Sequence, residues 1–237
     1  MQIHVQVEEQ VLTTPVCALV VHENGRGRAV VTRHAVHQEK GQFTLGTGET
    51  LERVHLERLN RSLNGAQLHY IDGHVLARSE SVIVWWEAAQ KRALFFEGSS
   101  PDVQALSGQE VPFPALVFVA DGPTLSVYAL KENERPGPDT PLMRSPTYNT
   151  YQNGTVCLGS TVRPDPHDPQ PEHAWSTAFF RSTFTHATAA PFLAWEGTYS
   201  ELLKHSRRKR RFPPEALRPA GQTLRALLRT LSERSES

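Results

Sequence analysis

The sequence predicts an α+β protein, a four-stranded antiparallel meander with flanking helices, preceded by an N-terminal β extension. Three observations lead there. Between residues 81 and 130 the apolar residues fall into short runs of strand length separated by turn-forming residues. From Lys131 to Pro146 this pattern gives way to charge and proline, and the back third has apolar spacing suited to helices. Strands therefore cluster first and helices follow, the order of an α+β arrangement rather than of repeated βαβ units.

Taken in order, residues 3–7 alternate like a strand, and Val16 to Val21 is a short apolar run. Asn24-Gly25 then supplies a turn, and Ala29 to Thr32 starts a partner strand. Thr50 is placed to cap a helix whose apolar face is Leu51, Val54, Leu56, Leu59 and Leu63, ending near Asn64-Gly65. The meander comes from Ser81 to Trp86, Arg92 to Phe96, Pro114 to Ala120 and Thr124 to Leu130, with Asp121-Gly122-Pro123 closing the last pair as a hairpin. Four prolines, at 136, 138, 141 and 146, remove donors and make Lys131–Pro146 a loop. A second proline-rich insert, Pro164 to Pro171, leads into a helix over Glu172 to Ala187. A basic run, Lys204 to Arg211, precedes an amphipathic last helix carrying Leu217, Leu224, Leu227, Leu228 and Leu231. The expected division is residues 1–48 as the extension, 49–203 as the core, and 204–237 as the basic segment with the last helix.

Composition excludes some functions. With 237 residues, 38% of them hydrophobic, the chain builds a core without disulfides or metals. Its 25 basic and 25 acidic residues cancel, so no global field draws it to nucleic acid or membrane. No run approaches the roughly 18 apolar residues of a membrane helix. The start, Met-Gln-Ile-His-Val-Gln-Val, lacks the cationic and apolar blocks of a signal peptide, and a cytoplasmic location is expected. Cys17 and Cys157, the two cysteines, are read as free thiols in a reducing compartment, with Cys17 in the core. His34 with His37 and His69 with His74 form no complete metal site, so neither metal nor cofactor is expected.

The chemistry concentrates at Tyr148-Asn149-Thr150-Tyr151-Gln152-Asn153-Gly154-Thr155-Val156-Cys157-Leu158. A nucleophilic thiol needs exposure, a rigid backbone and a donor for the developing oxyanion. Asn153-Gly154 makes a turn before a short extended stretch. With period two, Val156 and Leu158 point inward and Cys157 outward, unlike a structural cysteine. The Asn149 amide either donates to an oxyanion or caps a turn.

This segment resembles the active-site motif of ubiquitin-conjugating enzymes, His-Pro-Asn, four residues, Gly, two residues, Cys-Leu. Thr147-Tyr148-Asn149, Gly154 and Cys157-Leu158 fit that spacing without a gap. Trp175-Ser176 is similar to the Trp-Ser-Pro that opens the following helix in that superfamily, though Trp175 itself is read as core. The whole layout most resembles the PRTRC-system protein B family of bacterial mobile elements. The resemblance implies a ubiquitin-conjugating-like fold, a thioester on Cys157, and support from Asn149. It also implies two partners, a ThiF-like activating enzyme that uses ATP and a small ubiquitin-like protein. Two departures stand out: Thr147-Tyr148 replaces His-Pro, and Gly159 replaces the usual acidic residue. Tyr148, Tyr151 and Gly154 are the candidate flap supports. No His–Cys pair is visible, which suits thioester exchange, where the incoming acyl group is already activated.

Asp165, His167 and Asp168 follow closely and are candidate acid/base groups for an acceptor amine, or a solvated loop. Lys204, Arg207, Arg208, Lys209, Arg210 and Arg211 read as a solvated helix end, as a dock for an acidic partner, or as a DNA patch. An alternative use of the same fold is a non-catalytic adaptor in a plasmid or mobile-element system, touching DNA through that basic run.

Overall fold

The fold is known from a computed structural model, which describes residues 15–23, 29–39, 41–51, 55, 72–79, 81–165, 168–188 and 191–235. The chain forms two compact units, residues 1–70 and 71–237.

The first unit holds β1 (Cys17–Glu23), β2 (Ala29–Glu39) and β3 (Gln42–Thr50), paired antiparallel in that order. Val16 to Val21 and Ala29 to Thr32 pair as expected, with Val21 opposite Val31. The third strand, Gln42 to Thr50, has little strand signal in the sequence, being mostly polar and carrying two glycines. His34 sits across strands, with Nδ1 bonded to the Gly46 carbonyl at 2.9 Å and Nε2 to Thr32 Oγ1 at 2.8 Å. It is a sheet residue. Thr50 is the last residue of β3. The strand expected at residues 3–7 and the Asn24-Gly25 turn lie outside the described residues, as does the helix ending near Gly65 apart from His55, which is helical.

The second unit is built on a six-stranded sheet. Its strands are β4 (Val75–Arg78), β5 (Val82–Glu87), β9 (Leu116–Asp121), β10 (Thr124–Ala129), β11 (Pro141–Arg144) and β13 (Pro219–Thr223), all neighbours being antiparallel. The hairpin at Asp121-Gly122-Pro123 is present, with Thr124 opposite Asp121. The central strands are apolar throughout because both faces are covered. Ile83, Trp85, Phe118, Leu125 and Val127 face one cluster, while Val82, Val84, Val117, Val119 and Tyr128 face another. The first face meets α2 (Pro171–Arg181), through Trp175, Phe179 and Phe180, and α3 (Tyr199–Lys209), through Tyr199, Leu202 and Leu203. The second meets α4 (Leu224–Ser235) through Leu224, Leu227 and Leu231, a stripe at helical spacing.

Four expectations need correction. The run Arg92 to Phe96 leaves the meander. There β6 (Gln90–Ala93) pairs with β8 (Glu110–Phe113), and β7 (Phe95–Phe96) pairs in parallel with β12 (Thr183–Phe184). Arg92 explains this, since its guanidinium pairs with Glu87 and lies 4.2 Å above the Phe180 ring, so the run cannot be sealed on both faces. A short helix, α1 (Pro101–Gln104), fills part of the detour. The proline-rich loop contains β11, which begins at Pro141, where a strand needs no donor from its first residue. The helix expected to run to Ala187 stops at Arg181, because Thr183 and Phe184 are captured by β7. Leu217 is buried ahead of the last helix, in the stretch leading to β13.

Candidate active site

The segment after β11 folds as a hook fastened to the sheet edge. Along β10, Tyr128 and Ala129 pair with β11, which leaves the first half of the strand's edge open. The hook takes it: Val127 N–H donates to the Gly154 carbonyl and Val156 N–H to the Leu125 carbonyl, both at 2.8 Å. Within the hook, Tyr151 N–H donates to the Thr155 carbonyl at 2.8 Å, and Thr155 N–H to Asn153 Oδ1 at 3.1 Å. Gly154 has two reasons to be glycine. Its φ is +88°, and a Cβ there would come within 2.4 Å of the Tyr128 ring. The Tyr128 hydroxyl in turn donates to the Asn153 carbonyl.

Alternation then places the thiol. Val156 is buried, Leu158 is half-buried against the core, and Cys157 between them is exposed. The Cys157 N–H donates to the Asn149 carbonyl at 2.7 Å, so the backbone carrying the sulfur is tied directly to Asn149. Asn149 is almost buried and sits at φ +58°. Its own N–H donates to the His186 carbonyl at 3.0 Å. Its side-chain Nδ2 donates to the Thr183 carbonyl at 2.8 Å, while Oδ1 accepts from Thr185 N–H at 3.1 Å and Thr185 Oγ1 at 2.9 Å. The residue joins the flap, the thiol segment and the strand after α2.

Thr147 and Tyr148 hold the flap by different means. Thr147 Oγ1 lies 2.8 Å from both Ser145 Oγ and Thr150 Oγ1, a buried hydroxyl ladder across the loop. The Tyr148 ring packs among Phe96, Phe192 and Tyr199, with 4.8 Å between the Tyr148 and Tyr199 centroids. Desolvation pushes the Tyr148 phenol up, and more so that of Tyr199, whose hydroxyl donates to the Pro146 carbonyl at 2.7 Å. Tyr151 faces the thiol. A hydrogen bond to Cys157, and then the charge on that sulfur, push its phenol up.

Cys157, Asn149, Tyr148, Tyr151 and Gly154 thus form one constellation. Asp165 and Asp168 line a separate cavity of about 480 Å³ beside the Gly122-Pro123 turn, with Arg163 and Trp175. Asp168 Oδ1 accepts from Gln170 N–H at 2.8 Å at the entry to α2. His167 lies outside the described residues. Trp175 is core, and Ser176 Oγ accepts from the Trp85 indole at 3.1 Å. Lys204 to Lys209 lie in α3, with Arg210 as its cap and Arg211 just beyond. Among the described residues no group of three His, Cys, Asp or Glu side chains is placed to hold a metal ion. No described helix is long and apolar enough to cross a membrane.

The residues that sequence reasoning missed are the partners. Ser145, Thr147 and Thr150 had a faint signal, three hydroxyls in six positions opposite the turn. Thr183, Thr185 and His186 had none, being over thirty residues from the Asn149 they hold.

A mixed α+β fold with an exposed thiol on a braced hook is consistent with an E2-like protein. Residues 53–220 match prokaryotic E2 family D, and the chain belongs to that family. No curated relative matches it. No solved structure does either.

Proposed function

We propose that the chain accepts a small ubiquitin-like carrier as a thioester on Cys157 and passes it to an amine or to water. The observation that carries the reading is the exposed Cys157 sulfur on a backbone bonded to Asn149 and to β10. The Cys157 thiolate attacks the carbonyl carbon of the carrier's thioester on a ThiF-like activating enzyme. A new S–C bond forms, the old one breaks, and the released thiolate takes up the proton that Cys157 gave to solvent. A lysine amine or water then attacks the same carbon, and Cys157 leaves as thiolate. ATP is consumed by the activating partner, and this chain supplies position. Asn149 holds the hook with one amide hydrogen and Oδ1, and its second amide hydrogen is the donor assigned to the oxyanion. The Tyr151 phenol, protonated at neutral pH as tyrosine ordinarily is, stands as donor to the sulfur. The setting proposed is a PRTRC-type plasmid or mobile-element system.

The test mixes the protein with a ThiF-like activating enzyme, ATP and the carrier. A thiol-labile adduct is expected, absent in Cys157→Ala and converted to a thiol-stable ester in Cys157→Ser. Native Cys157 should also react with iodoacetamide much faster than Cys17, which is half-buried. No adduct, together with a Cys157 as slow as Cys17, would leave the non-catalytic adaptor as the function of this fold.

A further inference from the structure

The turn that ends α3 gathers cations that nothing in the mechanism above uses. Arg207, Arg210 and Arg211 come from that turn, and the fold brings Lys91 and Lys131 beside them from distant parts of the sequence. Two adjoining grooves, of about 490 and 640 Å³, share Lys91, Pro112 and Arg210 in their walls. All five cations are exposed. Some arginines elsewhere find carboxylates, Arg33 in Glu49, Arg92 in Glu87 and Arg225 in Asp139, and others, such as Arg135, Arg163 and Arg218, bond to backbone carbonyls. Among the described residues none of these five is in an ion pair, and Arg207 bonds only to the neutral Gln109 side chain. Helix ends favour cations, but one or two in the last turn suffice for that. Arg210 sits where a glycine is usual, at φ +58°, and its side chain serves both grooves.

The lining also says what the occupant is. Part of the floor is apolar, with Ala89, Pro112, Leu130 and Pro214, beside the polar Gln90, Gln109 and Asn133, and two carboxylates, Glu110 and Glu132, interrupt the cations. A continuous phosphate chain would meet those carboxylates and gain nothing from the floor. A peptide that interleaves acidic and apolar side chains satisfies cations, floor and interruptions together. We infer that this face docks an acidic, partly apolar segment of a partner protein. The inference is independent of Cys157 and of thioester chemistry.

The probe is a fluorescein-labelled peptide of about twelve residues alternating Glu with Leu, titrated by anisotropy beside polyglutamate of equal length and a duplex DNA of about twenty base pairs. The Glu-Leu peptide is expected to saturate the protein, to weaken as salt rises, and to bind more tightly than polyglutamate or the duplex. Arg210→Gly is the informative variant, because glycine is at ease at that φ, so the fold is retained while one cation goes. Its affinity should fall by about fivefold with no loss of Tm, and adding Arg207→Gln and Arg211→Gln should bring the loss to about fiftyfold. No saturable peptide binding overturns the inference. So do unchanged affinities in both variants, polyglutamate binding as tightly as the Glu-Leu peptide, or a duplex that binds more tightly at equal salt.

Discussion

Asn149 and Arg210 share one backbone angle, φ +58°, and are the non-glycine residues with positive φ among the described ones. Everything else about them differs. Asn149 is nearly buried and makes six hydrogen bonds to two other segments of chain, the one at Cys157 and the one from Thr183 to His186, through backbone and carboxamide alike. Arg210 is exposed, and its backbone makes the bonds of a helix cap, its N–H donating to the Arg207 carbonyl at 3.2 Å. One strained residue is held by a tertiary network, the other by the end of its own helix. A left-handed residue persists where its surroundings over-determine it, or where the cost is small enough to carry for a side chain useful in that place.

The sharpest probe of this contrast is a third left-handed position, where nothing but glycine fits. At Gly154 a substituent meets the positive φ and also the Tyr128 ring, which packs against the core on the sheet's second face. Gly154→Ala is expected to destabilise by about 4 kcal/mol in urea unfolding, combining backbone strain with overpacking. It should also release the thiol segment, since the Gly154 carbonyl is one of its two anchors to β10. A loss near 1 kcal/mol, that of a left-handed alanine alone, would mean that the ring yields and the hook is softer than its contacts imply.

The next probe reads the two matched residues against each other. Asn149→Ala removes four side-chain hydrogen bonds, the one from His186 N–H long at 3.5 Å, and leaves an alanine at positive φ, a combined loss of about 3 to 4 kcal/mol. Asn149→Gly removes the same bonds but relaxes the backbone, so it should be milder by about 1 kcal/mol and still destabilising. Arg210→Gly relaxes the backbone and removes no tertiary bond, so the sign reverses and stability rises by about 0.5 kcal/mol. Chemical denaturation of the three variants checks all of this. The same sign for both glycine variants would end the distinction drawn between a networked and an unnetworked left-handed residue.

Part of this arrangement is legible without the structure. Asn149, Gly154 and Cys157 show in the sequence because their constraints are local: a turn, a positive φ, an alternation of inward and outward side chains. The central strands are legible for a similar reason, since burial on both faces writes an unbroken apolar run. What Asn149 bonds to is not legible, because Thr183 and Thr185 look like the continuation of a helix until β7 is known to capture Phe184. Arg92 to Phe96 misleads in the opposite way, an apolar run whose first residue is fixed by Glu87 and Phe180 outside the sheet. The basic grooves fall between these cases. Arg207 to Arg211 stand out as a run, while Lys91 and Lys131 join them only through the fold.

The smallest effect concerns the other end of the helix that carries Arg210. There Thr198 and Glu201 form a capping box, with Glu201 N–H donating to Thr198 Oγ1 at 3.2 Å and Thr198 N–H donating to Glu201 Oε2 at 2.7 Å. Hydrogen bonds to the carboxylate from the Thr198 backbone and then its side chain, with Lys204 nearby, hold the Glu201 carboxyl below its ordinary value. A carboxylate lowered in the folded state stabilises above its unfolded pKa, and the contribution is lost as pH falls through the folded one. Glu201→Gln keeps an acceptor but not the charge. The variant should therefore melt slightly below the parent protein at pH 7, with the gap closing toward pH 3. Thermal melts at the two pH values read this directly. A gap that persists at pH 3 would mean that Glu201 acts through its shape at the helix start rather than its charge. The ends of α3 would then differ less than they do here, where a charged cap fixes one and a strained arginine closes the other.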